Sequence, residues 1–250
     1  MPTTSYIVAA TPRSGSTLLC DALARTGVAG VPREAFEVRV DTGLRPQPRD
    51  YFADLDDPGL GGLLPERRTD GVHPSGGLPA VVAEGTTPNG VFGAKVMWGH
   101  LPTVFHLLGA DGGVAAVERA LPGLRWVRIR RADRARQAIS LWRAIQSGSW
   151  RAGEAGGGEP VYSGPAIDHL HARLAVHDAR WDAFLAAAAT PPLELVYEDV
   201  AADLEGAVRA VLAHVGVDAP AGLAVRAGLE RQADERTEAW LARYVQERSA

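Results

Sequence analysis

The sequence has little of what marks secreted, membrane or nucleic-acid-binding proteins. It contains one cysteine, Cys20, which cannot form an internal disulfide and indicates a reducing compartment. It has no apolar run of membrane-spanning length and no charged start with an apolar stretch, as a signal peptide has. Lysine and arginine number 26 against 30 aspartates and glutamates, so no excess of positive charge indicates a nucleic-acid or membrane partner. The composition predicts a soluble cytoplasmic protein.

Several catalytic motifs are also missing. No Walker A loop is present, because that loop needs a lysine directly before its Ser/Thr, and its absence disfavours a magnesium-dependent nucleotide hydrolase. Neither Gly-x-Ser-x-Gly nor Gly-x-Gly-x-x-Gly after a strand occurs, which disfavours a nucleophile elbow and a dinucleotide-binding fold. The histidines, including the pair His169 and His171, lack the spacing of a zinc-binding helix. No metal site is predicted.

The most informative stretch is Thr11–Thr17, with the sequence Thr-Pro-Arg-Ser-Gly-Ser-Thr. It follows the short apolar segment Ser5–Ala10, a predicted buried strand, and precedes a predicted helix that ends at Gly27. Such a turn directs free amides and the positive end of a helix dipole at one point, where an anion can bind. The residues of the turn that would hold the anion are Arg13, Ser14, Gly15, Ser16 and Thr17. An ordinary turn, in which a Ser or Thr caps the helix, is the alternative.

Strands and helices alternate along the rest of the chain. Residues 28–37 are predicted to be a small second strand that runs into a loop. The other predicted strands are 91–98, 124–130 and 193–197, and the predicted helices are 101–109, 114–121, 134–145, 167–185, 203–215 and 234–247. Residues 43–90 are rich in glycine, proline and charge and predict an irregular segment. The alternation implies a mostly parallel sheet with helices on both faces, and no boundary is visible. The sequence predicts a single α/β domain over residues 1–250, a P-loop-type parallel sheet flanked by helices.

Basic residues at other strand ends extend the candidate anion site. Lys95 lies inside an apolar strand, and a buried lysine needs an anionic partner. Arg130 and Arg131 end a strand that is predicted to be half-buried with its basic residues along one face, and the next helix carries Gln137 and Ser140. Parallel strands end at one crevice, so these cations and Arg13 would suit a ligand with two separated anionic groups.

Two carboxylates, Glu34 and Glu37, follow the predicted second strand in a loop that can reach the same crevice. A carboxylate there can act as general base on a hydroxyl group. Trp98 and Trp150 could stack on a sugar or a base, whereas Trp142 lies on the apolar stripe of a helix and is predicted to belong to the core.

Motifs throughout the chain resemble those of one enzyme family. The run Thr11-Pro12-Arg13-Ser14-Gly15-Ser16-Thr17-Leu18-Leu19 looks like the phosphosulfate-binding loop of sulfotransferases. The motifs that resemble the bacterial trehalose 2-sulfotransferase family are Gly27-Val28-Ala29-Gly30-x-Pro32-x-Glu34, Pro46-Gln47-Pro48-Arg49, Thr87-Pro88-Asn89-Gly90-Val91, Gly93-x-Lys95-x-Met97-Trp98, Gln137-Ala138-Ile139-Ser140-x-Trp142-Arg143-Ala144 and Glu230-Arg231-Gln232-Ala233-Asp234. They occur in the family's order and with similar spacing.

The resemblance implies transfer of a sulfuryl group from 3'-phosphoadenosine 5'-phosphosulfate (PAPS) to a hydroxyl group, without a metal. It implies that the turn from Arg13 to Thr17 holds the 5'-phosphosulfate and that Arg131 and Ser140 hold the 3'-phosphate. Direct 3'-phosphate contacts from Arg136 or Gln137 are alternatives. The remaining implied roles are those of Glu34 as general base, Lys95 in stabilising charge on the transferring group, and Arg231 in closing over the nucleotide. The resemblance also implies a homodimer and a small-molecule acceptor.

The chain departs from the family pattern on the acceptor side. Val31 replaces an acidic residue, Ala35 replaces an aromatic one, and Gly99-His100 replaces a polar amide pair. These departures favour another sugar or a glycosylated small molecule at least as much as trehalose. Two other functions stay open: an ATP-dependent kinase on a variant phosphate loop, and a catalytically silent nucleotide-binding protein.

Overall fold

The computed structural model describes residues 2–37, 39–40, 52, 71–72, 76–110, 112–150, 158–223, 225 and 235–249. The chain divides into two compact units. The first comprises 1–38, 72–132 and 177–228, and the second 39–71, 133–176 and 229–250. The long helix α6, Gly164–Leu185, contributes residues to both. The motifs at 46–49 and 230–234, with Arg231, lie outside the described residues.

The first unit is built on a four-stranded sheet in the order β4-β1-β5-β6, and all of its strand pairs are parallel. Its strands are β1 Thr4–Ala10, β4 Val91–Met97, β5 Arg125–Arg130 and β6 Leu193–Val196. The short strands β2, Arg39–Val40, and β3, Gly71–Val72, belong to a separate sheet. The predicted α/β class with a parallel sheet is therefore confirmed.

Helices cover both faces of this sheet, as the prediction required. The helices of the first unit are α1 Ser16–Arg25, α2 Gly77–Gly85, the 3-10 helix Trp98–His100, α3 Leu101–Leu108, α4 Val114–Ala120, α7 Tyr197–Ala202 and α8 Leu204–His214, with the last part of α6. Tyr6 and Val8 of β1 pack with α1 and α8, while Ile7 and Ala9 pack with α2, α3 and α4. Successive side chains of a strand point to opposite faces, so β1 is buried on both.

The second unit is helical and has its own apolar core. It contains α5, Arg134–Ser147, the first part of α6, and α9, Glu235–Ser249. Trp142, Leu170 and Tyr244 are buried in this core, which confirms the prediction for Trp142. An ion pair between Arg136 and Glu238, 2.7 Å from Nη2 to Oε2, links α5 to α9. In the described part of the chain, no helix is long and apolar enough to cross a membrane.

Three local predictions are wrong. The small strand predicted to begin at Val28 does not form, because Gly30 has φ 66° and its backbone lies directly against that of Gly93; an isolated bridge joins Arg33 to Ala94 instead. Helix α2 forms within the segment predicted to be irregular, and Val81 and Val82 bury its apolar face. Strand β5 is not half-buried, because Arg128 is fully buried and paired with Asp178.

Candidate active site

The turn between β1 and α1 has the backbone of an anion-binding loop. Arg13 has φ 62° and is the only non-glycine residue with a positive φ in the described part of the chain. Gly15, with φ 81°, occupies the N-cap of α1, so no Ser or Thr side chain caps this helix, contrary to the ordinary-turn alternative. The first amides of α1 are therefore directed outward with the positive end of the helix dipole, and a phosphate or sulfate group fits there.

Two buried polar atoms beside this loop support the same interpretation. The hydroxyl oxygen of Ser14 and the Nε of Arg131 have no hydrogen-bond partner among the residues that the structure describes. Buried polar atoms are rarely left unpaired in proteins, so each of these needs an explanation. An anionic ligand rich in oxygen atoms would give both donors an acceptor, and the residues present therefore fit a phosphosulfate group.

Lys95 connects the loop to a carboxylate. It lies on β4 opposite Val8 of β1, and only 2% of the residue is exposed. Its Nζ is 2.6 Å from Oε1 of Glu34 and 3.0 Å from Oγ1 of Thr17. A buried ammonium needs such partners, because charge is costly to remove from water unless it is paired. The anionic partner predicted for Lys95 from the sequence is therefore Glu34.

Main-chain hydrogen bonds fix the loop that carries Glu34. The amide of Lys95 donates to the carbonyl of Arg33 at 2.9 Å, and the amide of Val31 donates to the carbonyl of Gly85 at 2.9 Å. Phe36 is fully buried in the core beneath the loop. The carboxylate of Glu34 is therefore held beside Lys95, with 30% of its side chain exposed, rather than extended into solvent.

Arg131 lies next to the turn between β1 and α1, the candidate phosphate loop. Its Nη1 donates to the carbonyl of Arg13 at 3.4 Å, and its guanidinium carbon lies 4.8 Å from the ring centroid of Tyr197. Its Nε is 3.9 Å from Oε1 of Glu198. The Tyr197 ring also packs directly on Gly15. Sequence reasoning missed Tyr197 and Glu198, although both follow β6 at the carboxyl edge of the sheet, where site residues gather.

The other residues predicted to hold the 3'-phosphate lie either in the second unit or outside the described residues. Ser140 is half-buried on α5 in the second unit. Arg231 lies outside the described residues. Arg13, Ser14, Thr17, Glu34, Lys95 and Arg131 lie in the first unit. The roles of all these residues toward the nucleotide and the acceptor stay predictions.

A second cluster adjoins Glu34. Oxygen atoms of Glu34 and Glu37 and a ring nitrogen of His100 lie within 4.8 Å of one another. Burial lowers the pKa of His100 to about 4; the charge of Glu34 opposes this shift and that of Lys95 adds to it. A metal-binding imidazole usually donates a hydrogen bond from its other nitrogen, but Nδ1 of His100 accepts one from the Met97 amide, at 3.3 Å. The ring is therefore poorly arranged to bind a metal ion.

The fold resembles that of one solved sulfotransferase. The structure of a sulfotransferase from Alicyclobacillus acidocaldarius matches 98% of this chain and 93% of that chain, with a TM-score of 0.52 and 15% identity. The chain belongs to the Stf0 sulphotransferase family, whose pattern it matches over residues 5–247.

Two relatives of known function are also sulfotransferases. The trehalose 2-sulfotransferase of Mycolicibacterium smegmatis is 35% identical over 262 residues, covering 96% of this chain and 94% of the relative. The trehalose 2-sulfotransferase of Mycobacterium tuberculosis is 35% identical over 258 residues, with 96% and 93% covered. The chain is therefore a sulfotransferase, and both the kinase and the catalytically silent protein are set aside.

Proposed function

We propose that this enzyme transfers the sulfuryl group of PAPS to a hydroxyl of a sugar or glycosylated small molecule, with Glu34 as general base. The observation that carries the proposal is the position of Lys95, whose Nζ contacts both Glu34 and Thr17 of the phosphate loop. A donor sulfate held at this loop would therefore lie beside the carboxylate. Relatives that act on trehalose support a sugar acceptor.

The proposed reaction uses these positions as follows. Glu34 accepts the proton of the acceptor hydroxyl, whose oxygen forms a bond to sulfur. The bond between sulfur and the bridging phosphate oxygen breaks, and its electron pair stays on adenosine 3',5'-bisphosphate. Lys95 and Arg13 stabilise this charge, and the Nζ of Lys95 is already held beside the loop, so little reorganisation of that group is needed. No covalent intermediate on the enzyme is required.

Arg131 is proposed to bind the 3'-phosphate, with Ser140 and Arg231 assisting. The guanidinium is oriented by the Tyr197 ring and the Arg13 carbonyl, which leaves its planar fork preorganised for an anion. We also propose that residues 1–250 form one sulfotransferase domain, since the family pattern runs through both compact units. The homodimer, the cytoplasmic location and the independence from metal stay predictions.

The direct test is transfer of ³⁵S from labelled PAPS to a panel of sugars and glycosides, trehalose included. We expect a labelled product without added metal, and a rise in Tm with adenosine 3',5'-bisphosphate, because a ligand that binds the native state stabilises it. Absence of both would contradict the proposal.

Arg131→Ala is expected to weaken binding of adenosine 3',5'-bisphosphate by about 10- to 100-fold, because charge-assisted hydrogen bonds to the 3'-phosphate are lost. Binding of adenosine 5'-phosphate, which lacks that group, should change much less. The matched control is Arg130→Ala, since the neighbouring guanidinium pairs with Glu194 at 2.6 Å instead. Calorimetric titration of both nucleotides measures the difference. An equal loss of affinity for the two nucleotides would show that Arg131 contacts a part of the ligand other than the 3'-phosphate.

Gly15→Ala is expected to weaken nucleotide binding by roughly 10- to 100-fold, since strain of this kind costs about 1–3 kcal/mol. The new Cβ would overlap the Tyr197 ring, and the backbone has φ 81°. Gly27→Ala is the matched control, because Gly27 has φ 70° and nothing lies within 4 Å of the new Cβ. Both variants should lose some stability, but only Gly15→Ala should lose the Tm rise with adenosine 3',5'-bisphosphate. Similar nucleotide binding by the two variants would contradict this expectation.

A further inference from the structure

The proposed reaction uses only one member of the cluster formed by Glu34, Glu37 and His100. Oxygen atoms of the two carboxylates and a ring nitrogen of His100 lie within 4.8 Å of one another, and all three residues are half-buried. The turn that contains both carboxylates is closed by a hydrogen bond from the amide of Glu37 to the carbonyl of Glu34, at 3.2 Å. Glu37 and His100 are therefore held beside the proposed base.

The hydrogen bond at one ring nitrogen of His100 determines whether the other nitrogen carries a proton. The amide of Met97 donates to Nδ1 at 3.3 Å, and a backbone amide can only donate, so Nδ1 carries no proton. With its pKa lowered to about 4 by burial, the ring is neutral near pH 7. Its single ring proton must then lie on Nε2. His100 is consequently a hydrogen-bond donor at Nε2.

The cluster thus combines two acceptors with one donor. Each carboxylate accepts through two oxygens with about four lone-pair positions, so the ion pair of Glu34 with Lys95 leaves further capacity. Two hydrogen bonds of about 2.8 Å from one hydroxyl oxygen span at most ~5.6 Å, so a single hydroxyl can bridge the two carboxylates, and the His100 ring lies beside both. Two adjacent hydroxyls offer two donors and an acceptor, which match the two carboxylate acceptors and the single His100 donor.

We propose that Glu34, Glu37 and His100 recognise a vicinal diol, a refinement that rests on the proposed function. The attacked hydroxyl donates to Glu34. The neighbouring hydroxyl donates to Glu37 and accepts from Nε2–H of His100. Glu37 and His100 are thereby residues that determine acceptor specificity, and they hold the diol so that one oxygen faces the donor sulfate.

An acceptor with an isolated hydroxyl makes no hydrogen bond to Glu37 or His100. Sites built to hydrogen-bond a substrate hydroxyl discriminate against analogues that lack it. Because the three residues of the cluster are only half-buried, we expect a moderate effect. The kcat/KM for a diol should exceed that for the matched single alcohol by roughly 10- to 100-fold.

The test measures ³⁵S transfer from PAPS to two matched pairs of compounds: trehalose with 3,3'-dideoxytrehalose, and trans-1,2-cyclohexanediol with cyclohexanol. The diol of at least one pair should be the better acceptor by the stated factor. His100→Asn keeps an acceptor for the Met97 amide but loses the Nε2 donor, so it should abolish the preference, mainly by raising KM for the diol. His100→Gln places an amide donor near the position of Nε2 and should retain most of the preference.

A Tm rise with adenosine 3',5'-bisphosphate in both variants shows that the fold and the donor site are intact. Equal transfer to diols and single alcohols, or an unchanged preference in His100→Asn, overturns the inference while leaving the proposed function standing. Transfer to none of the compounds, with no Tm rise in the unmodified enzyme, overturns the proposed function and this inference with it.

Discussion

Replacing Glu34 by glutamine is expected to lower sulfuryl transfer by about 10²- to 10⁴-fold, the usual contribution of a general base. The amide of glutamine cannot accept the hydroxyl proton at neutral pH. Its oxygen can still accept a hydrogen bond from Lys95, whose Nζ lies 2.6 Å from the carboxylate in the unmodified enzyme. Because the buried ammonium keeps an acceptor, the fold and the phosphate loop should survive the change.

Rates of ³⁵S transfer and the Tm rise with adenosine 3',5'-bisphosphate separate these effects. The rate should fall steeply while the Tm rise stays nearly the same. Glu84→Gln is the control, because it makes the same chemical change on the exposed side of α2, outside the site, and should leave the rate unchanged. A Glu34→Gln enzyme that turns over as fast as the unmodified one would show that another group takes the proton.

Asp178→Ala is expected to cost about 3–5 kcal/mol of unfolding free energy, because it leaves a buried charge without its closest partner. Arg128 is fully buried, and its Nη2 lies 2.5 Å from Oδ1 of Asp178. Asp182 is more distant, at 3.8 Å from the Nε of Arg128. The same carboxylate accepts from the hydroxyl of Thr11 at 3.4 Å, so the start of the phosphate loop should loosen as well.

Thermal unfolding measures this loss, which corresponds to a fall in Tm of roughly 6–20 °C for a chain of this size. Glu194→Ala provides the comparison, since it breaks a 2.6 Å ion pair with Arg130 whose side chains are 39% and 48% exposed, and it should cost less than about 1 kcal/mol. The double variant Arg128→Met, Asp178→Ala should recover part of the stability, because the unpaired charge is removed with its partner. Equal falls in Tm for Asp178→Ala and Glu194→Ala would show that burial of the pair has no influence.

Local pattern was enough to predict the class of fold and the strand, turn and helix that form the candidate phosphate loop. An apolar strand, a turn with Arg13 and Gly15, and an apolar helical stripe are consecutive in the sequence, so their arrangement needs no distant partner. The need of Lys95 for an anion could also be predicted, because its strand is apolar on both sides. That Glu34 meets this need depends on the parallel register of β4 with β1 and on the course of the 31–37 loop.

The features that the sequence did not predict depend on contacts between residues far apart in the chain. Arg128 and Asp178 are 50 residues apart, and nothing near Arg128 in the sequence indicates that a carboxylate on α6 will neutralise it. The strand therefore resembled a half-exposed one. Tyr197 was overlooked because its contact with Gly15 exists only once β5 and β6 lie beside β1. Tertiary contacts, rather than local propensity, determine these features.

Main-chain hydrogen bonds attach the Glu34 loop to the sheet, and this attachment has an evolutionary consequence. Carbonyl and amide groups of residues 31 and 33 hold the loop against Gly85 and Lys95, and such bonds are the same for almost any side chain. Mutations at Val31 or Ala35 can therefore reshape the surroundings of the carboxylate without displacing it. Lineages that share this scaffold can diversify the alcohols they modify while inheriting one unaltered chemical step.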